Sequence, residues 1–195
     1  RSATLSTLAS AGAKALPLEN VLSDATSGLY EMLVAEREAA QDDSGAEQLG
    51  AQWLSFLEDQ AAKSATPASR AVFDAHRVAA ALVSKQPEKM VEPLLRSERE
   101  LPTDYNPPAR LAVVYRELGK LNEGLHAIQR ALSKCKEGPR KLRLFETKAS
   151  LQEKKGDERA RRKTLEQAVT YARKLPKSQI SQKRIAALEA QLARE

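Results

Sequence analysis

The 195-residue sequence predicts an all-α fold of stacked antiparallel helical hairpins. Three observations carry that prediction. Aromatic residues are 4 % of the chain, and the 42 % hydrophobic content is mostly Ala and Leu, which suits helix-on-helix packing rather than a sheet core. Runs of alternating β-branched residues are absent, so no strand is expected. Apolar residues instead recur at helical spacing, as in Leu111, Val114, Tyr115 and Leu118, and the periodic stretches are punctuated by Gly and Pro.

Taken in order, residues 1–22 are rich in small residues and form a linker or a short helix with Leu5 and Leu8 on one side. Ser23 then opens a helix to about Ala40 carrying Leu29, Tyr30, Leu33 and Val34. Asp42-Asp43-Ser44-Gly45 is a turn, and Ser44 with Glu47 has capping-box spacing for the next helix. That helix carries Leu49, Trp53, Phe56 and Leu57, so residues 23–66 read as an irregular hairpin with Trp53 in its core. Thr66-Pro67 caps and starts a helix with Phe73, Val78, Ala81 and Leu82. Another follows Pro87 with Met90, Val91, Leu94 and Leu95, where Pro93 calls for a kink or an irregular turn.

The stretch from Asn106 to Leu132 is the most regular. Pro107 and Pro108 suit a first helical turn, whose N–H groups have no partner to lose, and Asn106 is placed to cap it. Gly119 supplies a left-handed C′ residue. Asn122 is placed to cap a second helix whose stripe is Leu125, Ile128, Ala131 and Leu132. A helix then runs from about Pro139 to Lys155 and ends at Gly156. Asp157 caps another to Lys174, and Pro176 breaks it. Ser178 is placed to cap a last helix over 178–195 with Ile185, Leu188 and Leu192.

Leu111, Ala112, Tyr115, Gly119, Glu123, Gly124, Ile128 and Ala131 resemble a tetratricopeptide repeat, a helix-turn-helix unit that buries its apolar face by stacking on copies of itself. Pro108 stands where the motif has Trp, and Gly124 where it has Ala. Stepping back by the period of about 34 residues sets Lys85 against Gly119, Met90 against Gly124, Leu94 against Ile128 and Ser97 against Ala131. Stepping forward, Gly156 and Ala168 take the parts of Gly119 and Ala131 after 37 residues, which places an insertion at Glu137-Gly138-Pro139. The resemblance implies repeats over 67–177, a capping helix over 178–195, and a TPR-like right-handed superhelix. A second resemblance, carried by Asp104 to Leu111, Gly138 to Arg143 and Lys155-Gly156-Asp157, is to the helical C-terminal region of bacterial thioredoxin-family proteins. It implies an accessory module working with a thioredoxin-like domain, and a periplasmic or secreted location. A chain that starts at Arg1 without Met fits a processed product or an excised fragment.

Chemistry-bearing motifs are missing. There is no Gly-rich phosphate loop, no nucleophile elbow and no His-Glu-x-x-His. His76 and His126 lie on different helices with no Cys or carboxylate at metal-ligand spacing. The lone Cys135 reads as a small, partly buried side chain, with a redox role as the alternative. No catalytic residue, cofactor, metal or membrane span is therefore expected. Charge is asymmetric. Residues 1–100 hold 10 Lys+Arg and 15 Asp+Glu, whereas residues 101–195 hold 22 and 11. Basic clusters fall at Lys134, Lys136, Arg140, Lys141 and Arg143, and at Lys154, Lys155, Arg159, Arg161, Arg162 and Lys163. Interleaved carboxylates such as Glu153, Glu158 and Glu166 make these a solvated exterior of helical pairs. A nucleic-acid surface is the alternative, but it lacks stacking aromatics.

The function expected is a non-enzymatic scaffold that binds a peptide or protein partner in the hollow lined by the first helix of each hairpin. The partner-binding residues are then His76, Arg110, Val113, Arg116, Glu146, Thr147 and Ser150. Arg110 and Arg116 flank Val113 and could fork onto a partner carboxylate.

Overall fold

The computed structural model describes residues 22–193; the expected helix with Leu5 and Leu8 lies outside them. Ten α-helices and one 3-10 helix occur among the described residues, with no strand. They are α1 (Leu22–Ala39), α2 (Asp43–Ala62), α3 (Pro67–Ala71), α4 (Asp74–Val83), a 3-10 turn (Pro87–Met90), α5 (Val91–Glu100), α6 (Asn106–Glu117), α7 (Leu121–Lys134), α8 (Arg140–Lys154), α9 (Glu158–Lys174) and α10 (Gln182–Leu192). The described residues divide into two compact units, which part between Pro93 and Leu94.

One turn design ends four helices. After α1, α4, α6 and α8 the C′ residue is left-handed, with φ of 56° at Gln41, 55° at Lys85, 70° at Gly119 and 75° at Gly156. The amide after each donates back to the third-last helical carbonyl: Asp42 to Arg37 at 2.9 Å, Gln86 to Ala81 at 2.8 Å, Lys120 to Tyr115 at 2.8 Å and Asp157 to Gln152 at 2.9 Å. The C′ amides complete the pattern by donating to Glu38, Leu82, Arg116 and Glu153. This is the Schellman cap, which satisfies carbonyls the helix end would otherwise orphan. Gly accepts the left-handed conformation freely. Gln41 and Lys85 hold it against a side-chain penalty. The register that sets Lys85 against Gly119 is thus a register of backbone conformation.

Several local expectations are corrected. Asn106 does not cap α6. It is the first helical residue, and its own backbone amide donates to the Asp104 side chain at 2.9 Å. Asn122 does not cap α7 either, because that helix begins one residue earlier and the Asn122 side chain accepts from Lys155 at 2.7 Å. Asp42, rather than Ser44, caps α2 by accepting from the Gly45 amide at 2.9 Å. Ser181, rather than Ser178, caps α10. The single helix expected after Thr66 is two helices, α3 and α4, separated at Val72 and Phe73. Thr66 does form a capping box, with Ser69. Pro93 lies in the first turn of α5, where its missing N–H costs no ladder bond, and the irregularity is the 3-10 turn just before it.

The insertion is also elsewhere than expected. The loops before α6 and before α8 are the same length. α8 starts 34 residues after α6 but ends 37 after it, because α8 has 15 residues and α6 has 12. Adding close to one full turn keeps the buried stripe nearly in phase, so the extra residues lengthen the helix without disturbing the hairpin.

In the first unit Trp53 is fully buried, stacks on Tyr30 with ring centroids 6.5 Å apart, and donates its indole N–H to Ser27 Oγ at 2.9 Å. Leu33, Val34 and Leu49 form a separate buried cluster with Leu29 and Val83 packed against it. Asp74, 0 % exposed, accepts from the Arg77 guanidinium at 3.3 Å.

In the second unit Leu111, Ala112 and Val114 of α6 close on Ala127, Ile128 and Ala131 of α7, all fully buried. Leu125, Leu132 and Tyr115 are only half-buried, so the Tyr115 ring is less enclosed than its position in the motif implied. Gly124 holds the motif's small position for a clear reason. A Cβ there would sit 2.6 Å from Leu151 Cδ2 and 3.4 Å from the Ala112 carbonyl oxygen. Leu142, Ala168, Val169, Ala172 and Leu188 join α8, α9 and α10 into a second core.

Candidate partner-binding site

Three of the residues expected to bind a partner meet along α6 and α8. Arg116 and Ser150 occupy the first helices of consecutive hairpins, and the Arg116 guanidinium donates to Ser150 Oγ at 3.3 Å. Arg116 also donates to Glu117 Oε1 at 2.8 Å, and Lys154 stands 3.6 Å from the other Glu117 oxygen. Burial pushes the Glu117 carboxyl up, but the Arg116 hydrogen bond and charge, with Lys154, carry it below its ordinary value. One helical turn before Ser150, Glu146 pairs with Arg184 of α10.

Glu146 and Ser150 line one open cavity of about 620 Å³ together with Glu153, Glu158, Arg161 and Gln191. Arg161 is among its lining residues. It stands 37 residues after Gly124, so a guanidinium fills the position where the preceding hairpin tolerates only a hydrogen. Its side chain is 11 % exposed, lies 3.6 Å from Glu153 Oε1 and 3.3 Å from Glu158 Oε2, and donates to the Gln191 carbonyl at 3.4 Å. Three carboxylates, a central guanidinium and a serine hydroxyl give this surface hydrogen-bonding groups of both kinds around a small apolar wall of Ala149 and Leu165. Such a surface can hold the polar backbone and side chains of a peptide.

The other expected residues are placed differently. Arg110 and Val113 are half-buried on α6 and do not line this cavity. Thr147 turns its hydroxyl back to the Arg143 carbonyl in its own helix at 3.0 Å. His76 belongs to the first unit, where its ring centroid is 6.3 Å from that of Trp53 and Nδ1 is 3.5 Å from Glu31 Oε1. Sequence reasoning missed Glu153, Glu158, Arg161 and Gln191. The one available signal was a charged residue, Arg161, at the motif's small position.

Three of the six cations in the basic cluster at 154–163 are paired with carboxylates, Lys154 with Glu117, Arg161 with Glu153 and Glu158, and Arg162 with Glu166. Cys135 is buried, its thiol donates to the Lys136 carbonyl at 3.4 Å, and burial pushes its pKa up against the nearby charges of Lys141 and Arg140. No group of three or more His, Cys, Asp or Glu residues among those described is arranged to hold a metal ion. No described helix is long and apolar enough to cross a membrane.

Comparison with known proteins places the fold. The chain has the helical-repeat architecture of tetratricopeptide-like proteins. Among solved structures, BtubC (BKLC) from P. vanneervenii aligns with a TM-score of 0.65 at 15 % identity, over 98 % of this chain and 80 % of that one. YrrB, described as a TPR protein with an unusual peptide-binding site, aligns with a TM-score of 0.54 at 12 % identity, over 98 % of this chain and 89 % of that one. MamA gives a TM-score of 0.46 at 14 % identity, over 80 % of this chain and 95 % of that one. No protein-family model matches the sequence, and no curated protein matches it.

Proposed function

We propose that this chain is a non-enzymatic scaffold that binds a peptide or protein partner on the face formed by α6 and α8, with the cavity beside Ser150 as its anchor point. The observation that carries the reading is the Arg116–Ser150 contact beside an open cavity holding Glu146, Glu153 and Arg161. First helices of adjacent hairpins stand side by side there, and polar groups converge at their junction rather than dispersing into solvent. The fold it shares with YrrB, a TPR protein with a peptide-binding site, supports a role of this kind. Arg110 and Val113 extend the same helix toward its N-terminus, and Thr147 flanks the cavity. His76 would serve a separate contact on the first unit. The accessory role beside a thioredoxin-like domain rests on sequence resemblance alone. Nucleic-acid binding through residues 134–163 would have to compete with the ion pairs made there.

The test is selection of binders from a random peptide display library on the intact chain. Ser150→Trp fills the cavity mouth and should cut binding of the selected peptides by about tenfold or more, with the melting temperature unchanged. Selected peptides that bind Ser150→Trp as well as the parent chain would refute the proposed face.

A further inference from the structure

A second cavity, of about 430 Å³, opens at the loop ends of α6 and α8 and shares no lining residue with the first. Thr103, Tyr105, Cys135, Lys136, Pro139 and Arg140 form its principal walls. Its charges divide into two groups. Lys134 is held by Glu98 at 3.1 Å and Glu137 by Lys141 at 2.6 Å, so these neutralise one another. Lys136 and Arg140, by contrast, make no side-chain hydrogen bond or ion pair among the described residues. Behind them α8 begins with Pro139 as N-cap, no side-chain cap and no acidic residue in its first turn. Its positive dipole end therefore adds to two uncompensated cations.

The loop carrying these groups is fixed. Gly138, at φ 145°, donates its amide to the Tyr171 hydroxyl at 2.7 Å, and that hydroxyl donates back to the Gly138 carbonyl at 3.2 Å. Tyr171 is in turn packed on Phe145 and covered by the Lys141 ammonium. A rigid loop bearing two unpaired cations beside a half-open cavity is preorganised to receive a negative charge rather than collapsing onto a neighbouring carboxylate. The volume exceeds that of a bare oxyanion, and Tyr105, Pro139 and Cys135 give it an apolar side.

We propose that this cavity binds a phosphate monoester, with the phosphoryl group between Lys136 and Arg140 at the start of α8 and a small organic group against Tyr105 and Pro139. Two cations match a dianion better than a single carboxylate. The site is independent of the peptide-binding face, and either can fail without the other.

The experiment titrates the full chain with phenyl phosphate, inorganic phosphate and benzoate. It reads the backbone amide shifts of Gly138, Arg140 and Lys141, and the pKa of the Cys135 thiol from the pH dependence of its alkylation. Phenyl phosphate should give saturable shifts and bind more tightly than inorganic phosphate or benzoate. It should also raise the thiol pKa, because a bound anion cancels the field of Arg140 and Lys141 that now lowers it. The double variant Lys136→Gln/Arg140→Gln alters two exposed side chains. It should keep the parent melting temperature and lose about tenfold or more in affinity. Absence of saturable shifts, or equal affinity in the double variant, would overturn the proposal. Inorganic phosphate binding as tightly as phenyl phosphate would remove the organic half of it.

Discussion

Lys85 offers the sharpest test of how these hairpins close. It is an L-residue with φ of 55° at a position where the two hairpins that follow it in sequence use glycine. A left-handed backbone costs an L-residue about 1–2 kcal/mol, and glycine returns about 0.5–1 kcal/mol of that through its greater freedom when unfolded. Lys85→Gly should therefore stabilise the fold by about 0.5–1 kcal/mol, raising the melting temperature by about 2–4 °C for each kcal/mol in a chain of this size. The substitution also removes the Lys85–Glu47 pair at 2.8 Å. Lys85→Ala controls for this, since it deletes the same pair but keeps the strained backbone, and high salt screens the exposed pair in any case. In the reverse direction Gly119→Ala and Gly156→Ala should each cost about 1 kcal/mol. A Cβ at either site meets nothing within 4 Å, so the whole penalty is conformational. Urea melts of the five chains make the comparison. Should Lys85→Gly prove no more stable than Lys85→Ala, the left-handed cap would not be the strained element described.

Other predictions follow from buried charge and packing. Arg77→Met should cost about 3 kcal/mol or more, because it leaves the fully buried Asp74 carboxylate without its guanidinium; equilibrium unfolding measures this. Glu98 is gripped by Arg130 through two 2.9 Å bonds and by Lys134 at 3.1 Å. The Arg130 bond, then burial acting the opposite way, then Lys134 leave its pKa below the ordinary value. A carboxyl depressed in the folded state stabilises above its unfolded pKa and loses that contribution as pH falls through the folded one. Stability should thus drop between about pH 5 and about pH 3, and Glu98→Gln should flatten that part of the profile in urea melts. Tyr115→Ala should cost about 2 kcal/mol, less than for an enclosed ring, since Tyr115 is only half-buried. Arg162→Ala, whose Glu166 pair is exposed, should stay within about 0.5 kcal/mol.

The parts of the fold that were legible in sequence are those governed by short-range physics. Gly119, Gly156 and Pro107 impose local backbone conformations, so helix ends and starts could be placed from them. Lys85 and Gln41 carry no such signature. Only the repeat register points to Lys85, and nothing in the sequence points to Gln41. Caps differ from the sequence reading because chain geometry sets where each helix starts: Asp42 meets the Gly45 amide and Asp104 the Asn106 amide, so Ser44 and Asn106 fall inside the helices they were placed to cap. Loops tolerate length, which points an insertion to residues 137–139; lengthening α8 by about one turn achieves the same without re-aiming its buried face. At the site, Arg116, Glu146 and Ser150 were reachable from helical phase along α6 and α8. Arg161 and Gln191 were not, because they reach the cavity from α9 and α10, and only tertiary packing brings them there.

The most direct measurement of the central claim is an amide-shift titration of the full chain with the tightest peptide from the display selection. Shifts should concentrate on α6 and α8, running from Arg110 through Arg116 to Glu146 and Ser150, and extend to Arg161 in the cavity lining. Shifts confined to α7 and the outer side of α9, with Arg116 and Ser150 unmoved, would contradict it.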